Sequence, residues 1–538
     1  MPSRMKNPFL LALTSISKIQ IIQKMKKTAI YTIIFILLGL QACTDVLQED
    51  PKSFYAEDAI YATEQGVETA INGIYYSMGA FQNYGSNFHN LMMPHSGLFY
   101  SSQQASVDLV GLNANSSNIN ISSVWEFMYK TINAANVAIS NLEAKDESFS
   151  NKSTALGHAH FVRGKIYLDL VRMFGGVPLR TKPIDLETIH LARASRQEII
   201  DQVIADLTIA KQLMPGPKDS PNGRPGKWAA HAYLAKLYMT LAVEDPAFWQ
   251  KAQEELLPII QSGDHKLMPT YAEIFREGNE NLEESILELQ YGFTGALRQS
   301  DMIRLYTPSN SVFAPASSPT FGRIRPNKEV FDAHFKQYPS DPRIETTFLY
   351  NTYPRSNGGT QNIYPKTKTG NNGYACIAKW FDSQYNGTTT ERNYIMMRYA
   401  DVLLMMAEVT NEISGPEEAY TYVNAVLKRA RDTNGDGAND AEQPAAWSNM
   451  SKETFRDRIM AERRYELLTE SEDWFDTRRR GYDYFKAHVI DPHNANPTFD
   501  KSRDFVYPDD TKNMLLPIPL TEISGNQKVS AGDQNPGY

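Results

Sequence analysis

Hydrolysis of a glycosidic bond needs two carboxyl groups held at a defined separation. Glu284, Glu288, Glu466 and Glu470 could be nominated, but with 62 acidic residues in the chain a pair can always be found. These four read instead as solvated charges on helices or strand edges. No His-Glu-x-x-His zinc helix and no Gly-x-Ser-x-Gly elbow is present, and SPNGRPGKW lacks the first glycine of a phosphate loop. The sequence therefore points away from an enzyme.

One run has the form of a metal loop. Asp432-Thr433-Asn434-Gly435-Asp436-Gly437 matches the opening of a calcium loop, in which oxygen donors at alternate positions converge on a hard cation. The twelfth position is Gln443, so the bidentate glutamate is absent. Asp432, Asn434 and Asp436 are thus candidate calcium ligands, with a polar inter-helix turn as the alternative. No cofactor is required, and a structural calcium ion is the only one suggested.

Aromatic side chains offer a different chemistry. A sugar ring has an apolar face of C–H bonds and a polar rim, so a flat aromatic ring meets the face while amides, carboxylates and backbone groups meet the hydroxyls. The stretch from Tyr291 to Tyr394 holds 17 aromatics in 104 residues and is rich in Gly, Asn, Pro and Thr, with few periodic apolar runs. Long irregular segments in compact proteins tend to be functional, so ligand contacts are placed here and in the Ser- and Asn-rich stretch from Gln82 to Ser123. The candidate binding rings are Tyr84, Phe99, Tyr100, Tyr306, Phe313 and Phe321, each weighed against a role in the core. Trp380 fits either role. Arg323, Arg325 and Lys328 are candidates for a local basic patch that would admit acidic glycans.

The elements that must position these groups are mostly helices. Val67, Ala70, Ile71, Ile74, Tyr75 and Met78 form one apolar stripe at helical spacing, and Trp125, Met128, Ile132, Ala135, Ile139 and Leu142 form another. Ala159, Arg163, Ile166, Tyr167, Leu170, Val171 and Phe174 make a third, stopped by Gly175-Gly176 and Pro178. Arg163 within that stripe calls for a buried carboxylate partner. Two later segments look like degenerate tetratricopeptide repeats. AAHAYLAKLYMTLA is followed by a helix around Ala252, Leu256 and Ile259, and YADVLLMMAEV is followed by EEAYTYVNAVLKRAR. The expected fold is mostly α, an α-solenoid of tetratricopeptide-like helix pairs with an irregular, loop-rich region carrying the ligand surface. Its expected parts are 43–290, 291–394 and 395–538.

The N-terminus sets the compartment. From Met25 the chain reads MKKTAIYTIIFILLGLQAC: two lysines, an apolar run of about a dozen residues, and a small residue before Cys43. A membrane-spanning helix needs about 20 apolar residues. Residues 1–42 are therefore expected to be a signal peptide with Met25 as the initiator, and Cys43 a lipidated N-terminus. Cys43 and Cys376 are the only cysteines, which excludes a disulfide framework. Removing residues 1–42 takes away six cations and no acid, moving the formal charge from −8 to −14. A chain this acidic has no footprint for nucleic acid.

Seven blocks, in order, carry a resemblance. They are DVLQEDPKSFY after Cys43, EQGVETAINGIYYSM, GHAHFVRGKIYLDLVRMFGGVPL, RPNKEVFDAHF with DPRIETTF, RYADVLLMMAEVTNEI, ERRYELLTESEDWFDTRRRG, and LLPIPLTEISGNQKVSAGDQNPGY at the C-terminus. Together they resemble the SusD/RagB family of outer-membrane lipoproteins. The resemblance implies a fold on four tetratricopeptide-like pairs and a lid-like association with a SusC-like TonB-dependent transporter. It also implies a lipid anchor in the outer membrane facing the cell exterior, and capture of oligosaccharides, with peptides in some members. It marks Trp474, Arg478 and Tyr538 as parts of the shared frame, and it transfers no ligand contact to a numbered position. Peptide capture, a surface glycoside hydrolase and a purely structural scaffold are the alternatives.

Overall fold

The helical stripes fold where their periodicity puts them. A computed structural model describes residues 60–145, 149–220, 223–292 and 300–538, of which 61–538 form one body. The expected signal peptide and Cys43 lie outside the described residues. Helix α1 (Glu64–Met78) is capped by the Thr63 hydroxyl and buries Val67, Ile71, Ile74, Tyr75 and Met78. Helix α2 (Asn87–His95) follows, then α3 (Ile119–Ala144), capped by Asn118 and burying the whole stripe from Trp125 to Leu142. Helix α4 (Lys152–Phe174) stops at Gly175, whose φ of 72° suits glycine. Helix α5 (Arg196–Leu213) opens with a capping box from Ser195 and Glu198.

Helices α6 (Lys227–Leu241) and α7 (Phe248–Ser262) are the first expected repeat pair. After α8 (Lys328–Gln337), helices α9 (Tyr399–Ser414) and α10 (Pro416–Arg431) are the second, followed by α11 (Lys452–Leu467) and α12 (Asp473–Arg478). Each frame helix packs on its sequence neighbour from α3 to α7, α7 then packs on α9, and α9 packs on both α10 and α11. This is the expected tetratricopeptide-like solenoid. Close approach is bought by small residues: a Cβ on Gly157 would lie 2.9 Å from the Met214 nitrogen, and one on Gly164 2.9 Å from the Asp206 Cβ.

Arg163 has its carboxylate. Its guanidinium grips Asp206 of α5 through Nε and Nη2 at 2.9 and 2.7 Å, with both side chains buried. A longer chain of ion pairs ties the frame together. Lys165 and Arg172 hold Asp169, Arg172 and Lys236 hold Glu472, and Lys236 and Arg463 hold Asp401. Arg463 and Arg479 hold Asp476, and Arg479 holds Glu408. Five cations and five carboxylates thus alternate through α4, α6, α9, α11, α12 and the residues that flank α12 on either side. Each charge lies between two of opposite sign except at the ends, which is how buried charges avoid their desolvation cost.

Glu284, Glu466 and Glu470 are not the solvated charges expected of them. Arg398 binds all three, Arg429 binds Glu284 and Glu466, and Arg343 binds Glu466, Glu462 and Asp341. All these side chains are buried. Glu288 is buried as well, accepting from Ser285 and from Asn393. The arginine partners of Glu284, Glu466 and Glu470 lie 68 or more residues away in sequence, Arg429 and Glu466 excepted at 37, and become neighbours only in the fold.

The irregular region departs from the frame and returns through one sheet. Among the described residues the strands form four two-stranded antiparallel pairs. Strand β1 (Phe99–Ser101) pairs with β3 (Ile324–Pro326), and β2 (Ser285–Leu289) pairs with β8 (Tyr394–Arg398). Strand β4 (Phe348–Leu349) pairs with β7 (Cys376–Ile377), and β5 (Thr352–Pro354) with β6 (Thr360–Asn362). The expected boundaries near 290 and 395 therefore fall on the β2–β8 pair, and β1–β3 stitches the region to the stretch after α2.

Candidate functional site

Two clefts share a wall in the irregular region. Residues 343–347 form a helical turn held by Arg343, whose guanidinium is locked to Asp341, Glu462 and Glu466. The chain then enters β4 and reverses at Asn351, which takes a left-handed φ of 62° that asparagine tolerates. Tyr364 and Ile363 occupy its backbone N–H and C=O, which leaves the side-chain amide as the group it can offer a ligand. Opposite, β7 leads into Ala378-Lys379-Trp380-Phe381. Lys379 and Trp380 are buried, the ammonium on Glu470 at 2.7 Å and the indole N–H on the Thr469 hydroxyl at 2.9 Å. Ala378 and Phe381 line the larger cleft.

That cleft has a volume of ≈ 600 Å³, within the usual range for ligand sites. Phe313 and Phe381 stack in it with centroids 4.3 Å apart and planes 11° from parallel. Phe275 and Leu349 add apolar surface, and Glu345, Thr346, Asn351 and Thr352 supply polar groups. Tyr350 and Asn351 also line a second cleft of ≈ 380 Å³, with Phe331, Asp332, Phe335 and Lys336. The Tyr350 hydroxyl donates to Glu345, and burial together with that carboxylate pushes the phenol up to about 12, so it stays a neutral donor. Burial also raises the Asp332 carboxyl above its usual range. An aromatic face flanked by hydroxyl, amide and carboxylate groups is the chemistry that holds a polyhydroxylated ring.

Of the six rings singled out from the sequence, one is in this site. Phe313 forms half of the stacked pair. Tyr84, Phe99 and Tyr306 are fully buried and offer no free face, correcting the expectation that they stand exposed. The Tyr84 hydroxyl donates to Asp169 and accepts from Lys165 at 2.6 Å, and Tyr306 shares a hydrogen bond with His89. Tyr100 is buried against Tyr374, with centroids 4.3 Å apart, and its hydroxyl meets Asn371 and Arg503. Phe321 is exposed but lines neither cleft; the Arg323 guanidinium lies 4.3 Å from its ring centre. The basic patch does not form, because Arg325 and Lys328 are buried on the Asn371 carbonyl and on Asp504. Trp125 and Trp380 are core residues. Sequence reasoning missed Tyr350, Phe381 and Phe335, although FLYNTY, two β-prone runs broken at an asparagine, was a turn signal.

The calcium-like run forms a self-satisfied turn. The Asp432 carboxylate accepts backbone N–H groups from Asn434, Gly435 and Gly437, Asp436 accepts from Ala438, and Asn434 accepts from Asp436. Among the described residues no three His, Cys, Asp or Glu side chains are grouped to hold a metal ion. The side-chain oxygens of Asp432, Asn434 and Asp436 thus hydrogen-bond to backbone N–H groups of the turn itself.

The comparisons with known proteins agree with this architecture. Residues 285–538 match the model of the SusD family, and residues 47–239 match a model described as starch-binding associating with outer membrane. SusD-like protein P2 of Formosa agariphila is 28% identical over 96% of this chain and 100% of its own length. A SusD homolog from Bacteroides thetaiotaomicron superposes with a TM-score of 0.75 at 19% identity, covering 90% of this chain and 99% of its own. Surface glycan-binding protein A from Bacteroides uniformis gives 0.69 at 20% identity, with 88% and 99% covered. The frame of paired helices, the ordered blocks and these matches place the chain in the SusD family of outer-membrane proteins, as a binding protein and not an enzyme.

Proposed function

We propose that this protein captures oligosaccharides at the paired clefts and delivers them to a SusC-like TonB-dependent transporter, from a lipid-anchored position on the outer face of the outer membrane. Family membership supports the coarser role of a surface carbohydrate-binding protein that works with such a transporter. The observation that carries the ligand class is the larger cleft itself. It brings a stacked phenylalanine pair, a tyrosine and four polar side chains together in the loop-rich region, outside the helical frame. A hydrolase reading finds no support, since of the glutamates first nominated for it Glu284, Glu466 and Glu470 are bound by arginines in the interior and Glu288 is buried on Ser285 and Asn393.

Isothermal titration of the detergent-solubilised lipoprotein against oligosaccharide families and a mixed peptide digest tests this. Saturable heat with a glycan family, weakened by Phe381→Ala, is the expected result. Binding of peptides without any glycan would replace the reading with peptide capture.

A further inference from the structure

The site's charges and its division say more about the ligand than its aromatic rings do. Among the described residues Glu345 is the single charged group lining the larger cleft, and it is exposed. In the smaller cleft Asp332 and Lys336 oppose one another in sign. Neighbouring cations are committed elsewhere: Lys379 to Glu470, Arg343 to Asp341 and the α11 glutamates, Lys328 to Asp504. Arg325 gives its N–H groups to the carbonyls of Gly322 and Asn371. Among the described residues, a carboxylate or sulfate entering the larger cleft would therefore meet a negative charge and no lining cation. The two clefts, moreover, are not separate sites. Tyr350 and Asn351 line both, so whatever fills one ends where the other begins. Phe381 lines the larger cleft only, and Phe335, 41% exposed with its ring centre 6.1 Å from that of Tyr350, lines the smaller only.

Resting on the capture reading above, we infer that the paired clefts take one uncharged glycan chain laid across Tyr350 and Asn351, and that Glu345 is the specificity-determining residue that turns acidic glycans away. Neutral hydroxyls find the Glu345 carboxylate a good acceptor, whereas an anionic substituent loses its hydration beside it without compensation. Chain length matters because a short oligomer fills one cleft and leaves the other wet. A longer one gains both aromatic contacts for a single loss of translational freedom.

The test is titration of the detergent-solubilised full chain with short and long members of neutral series (gluco-, manno-, xylo- and galacto-oligosaccharides) and acidic series (oligogalacturonates, oligoalginates, sulfated galactans). Wild type, Glu345→Gln, Phe381→Ala and Phe335→Ala are compared, with melting temperatures recorded. Phe381→Leu, which keeps an apolar contact with Phe313 but removes the ring, stands in if Phe381→Ala unfolds. A neutral series should bind, its long members about tenfold more tightly than its short ones, or about 1.4 kcal/mol. Either phenylalanine change should weaken the long ligand, while a short one responds to only one of them. Acidic oligomers should bind about tenfold more weakly, and Glu345→Gln should narrow that ratio. An acidic series that binds as tightly as any neutral one and is lost with Phe381→Ala would overturn the charge assignment while leaving capture intact. Affinity indifferent to length or to Phe335→Ala would overturn the spanning chain. Silence from every glycan would remove the capture reading and this inference with it.

Discussion

Replacing Arg398 with methionine tests the interior charge network. Arg398 is 1% exposed and donates to Glu284 at 2.8 Å, Glu466 at 2.7 Å and Glu470 at 2.6 Å. Methionine fills part of the volume but leaves Arg343, Arg429 and Lys379 to neutralise Asp341, Glu284, Glu462, Glu466 and Glu470. Removing one partner of a buried pair costs about 3–5 kcal/mol. Each of the three glutamates keeps a second cation, so about 4 kcal/mol is expected in place of a multiple of it. An unfolding entropy of about 2.1 cal/mol/K per residue over roughly 480 residues makes that a fall of about 4 °C in melting temperature. Circular dichroism melts in detergent read it, with Lys266→Ala as control, since its pair with Glu283 is mostly exposed and should shift the melt by less than about 1 °C. Burial favours the neutral form of Glu466, but Arg429, Arg398 and Arg343 hold its carboxyl well below the usual range. Its stabilisation is therefore present above the unfolded pKa and lost as pH falls. In the variant the freed carboxylates take up protons more easily, so the deficit should be largest at neutral pH and above and narrow as pH falls towards the usual carboxylate range. A melt within about 1 °C of wild type would show that the network is energetically idle.

Asp473 is buried against the Thr469 N–H, and burial raises its carboxyl to about 7. A raised carboxyl stabilises the fold below its unfolded pKa of 3.8 and loses that contribution as pH rises through about 7, so Asp473→Asn should flatten the decline in melting temperature across this window. Gly157→Ala combined with Gly164→Ala should lower the melting temperature by about 2–5 °C, because the added methyl groups meet the Met214 nitrogen and Asp206 across the α4–α5 contact; an unchanged melt would mean these helices separate freely. Calcium or a chelator should shift the melt by less than about 1 °C, and a rise that tracks calcium concentration would restore the metal reading of Asp432, Asn434 and Asp436.

The helices could be read in the sequence because each buries a stripe with a fixed period, and the period survives whatever the stripe packs against. Arg163 was readable for a related reason, since a cation amid an apolar stripe has to find a carboxylate. The internal glutamates were not readable. Arg398 meets Glu466 across 68 residues of sequence, and Arg429 meets Glu284 across 145. No local pattern separates such a side chain from a solvated one. The aromatics show the same limit from the other side. Composition pointed to the region that holds the clefts, but Tyr306 and Phe313 lie seven residues apart in it, and one is sealed in the core while the other lines the larger cleft. What separates them is a partner, His89 for the first and Phe381 for the second, supplied by distant chain.

The frame and the cleft are joined at one place, and that joint explains why one is legible and the other is not. Arg343 pins the turn before β4 to Glu462 and Glu466 of α11, and Lys379, just after β7, is pinned to Glu470 and to the carbonyls of Glu466 and Leu468. Both strands of the β4–β7 pair are thereby fixed to the same buried network from behind. The residues just beyond those pins, Tyr350 and Asn351 on one side and Phe381 on the other, face the clefts and contribute nothing to the charge network. A substitution in the network must then lower stability before it alters binding, and Glu345→Gln or Phe335→Ala must alter binding with little change in the melt. A cleft mounted this way can change its side chains, and so its glycan, without disturbing the helices that carry it.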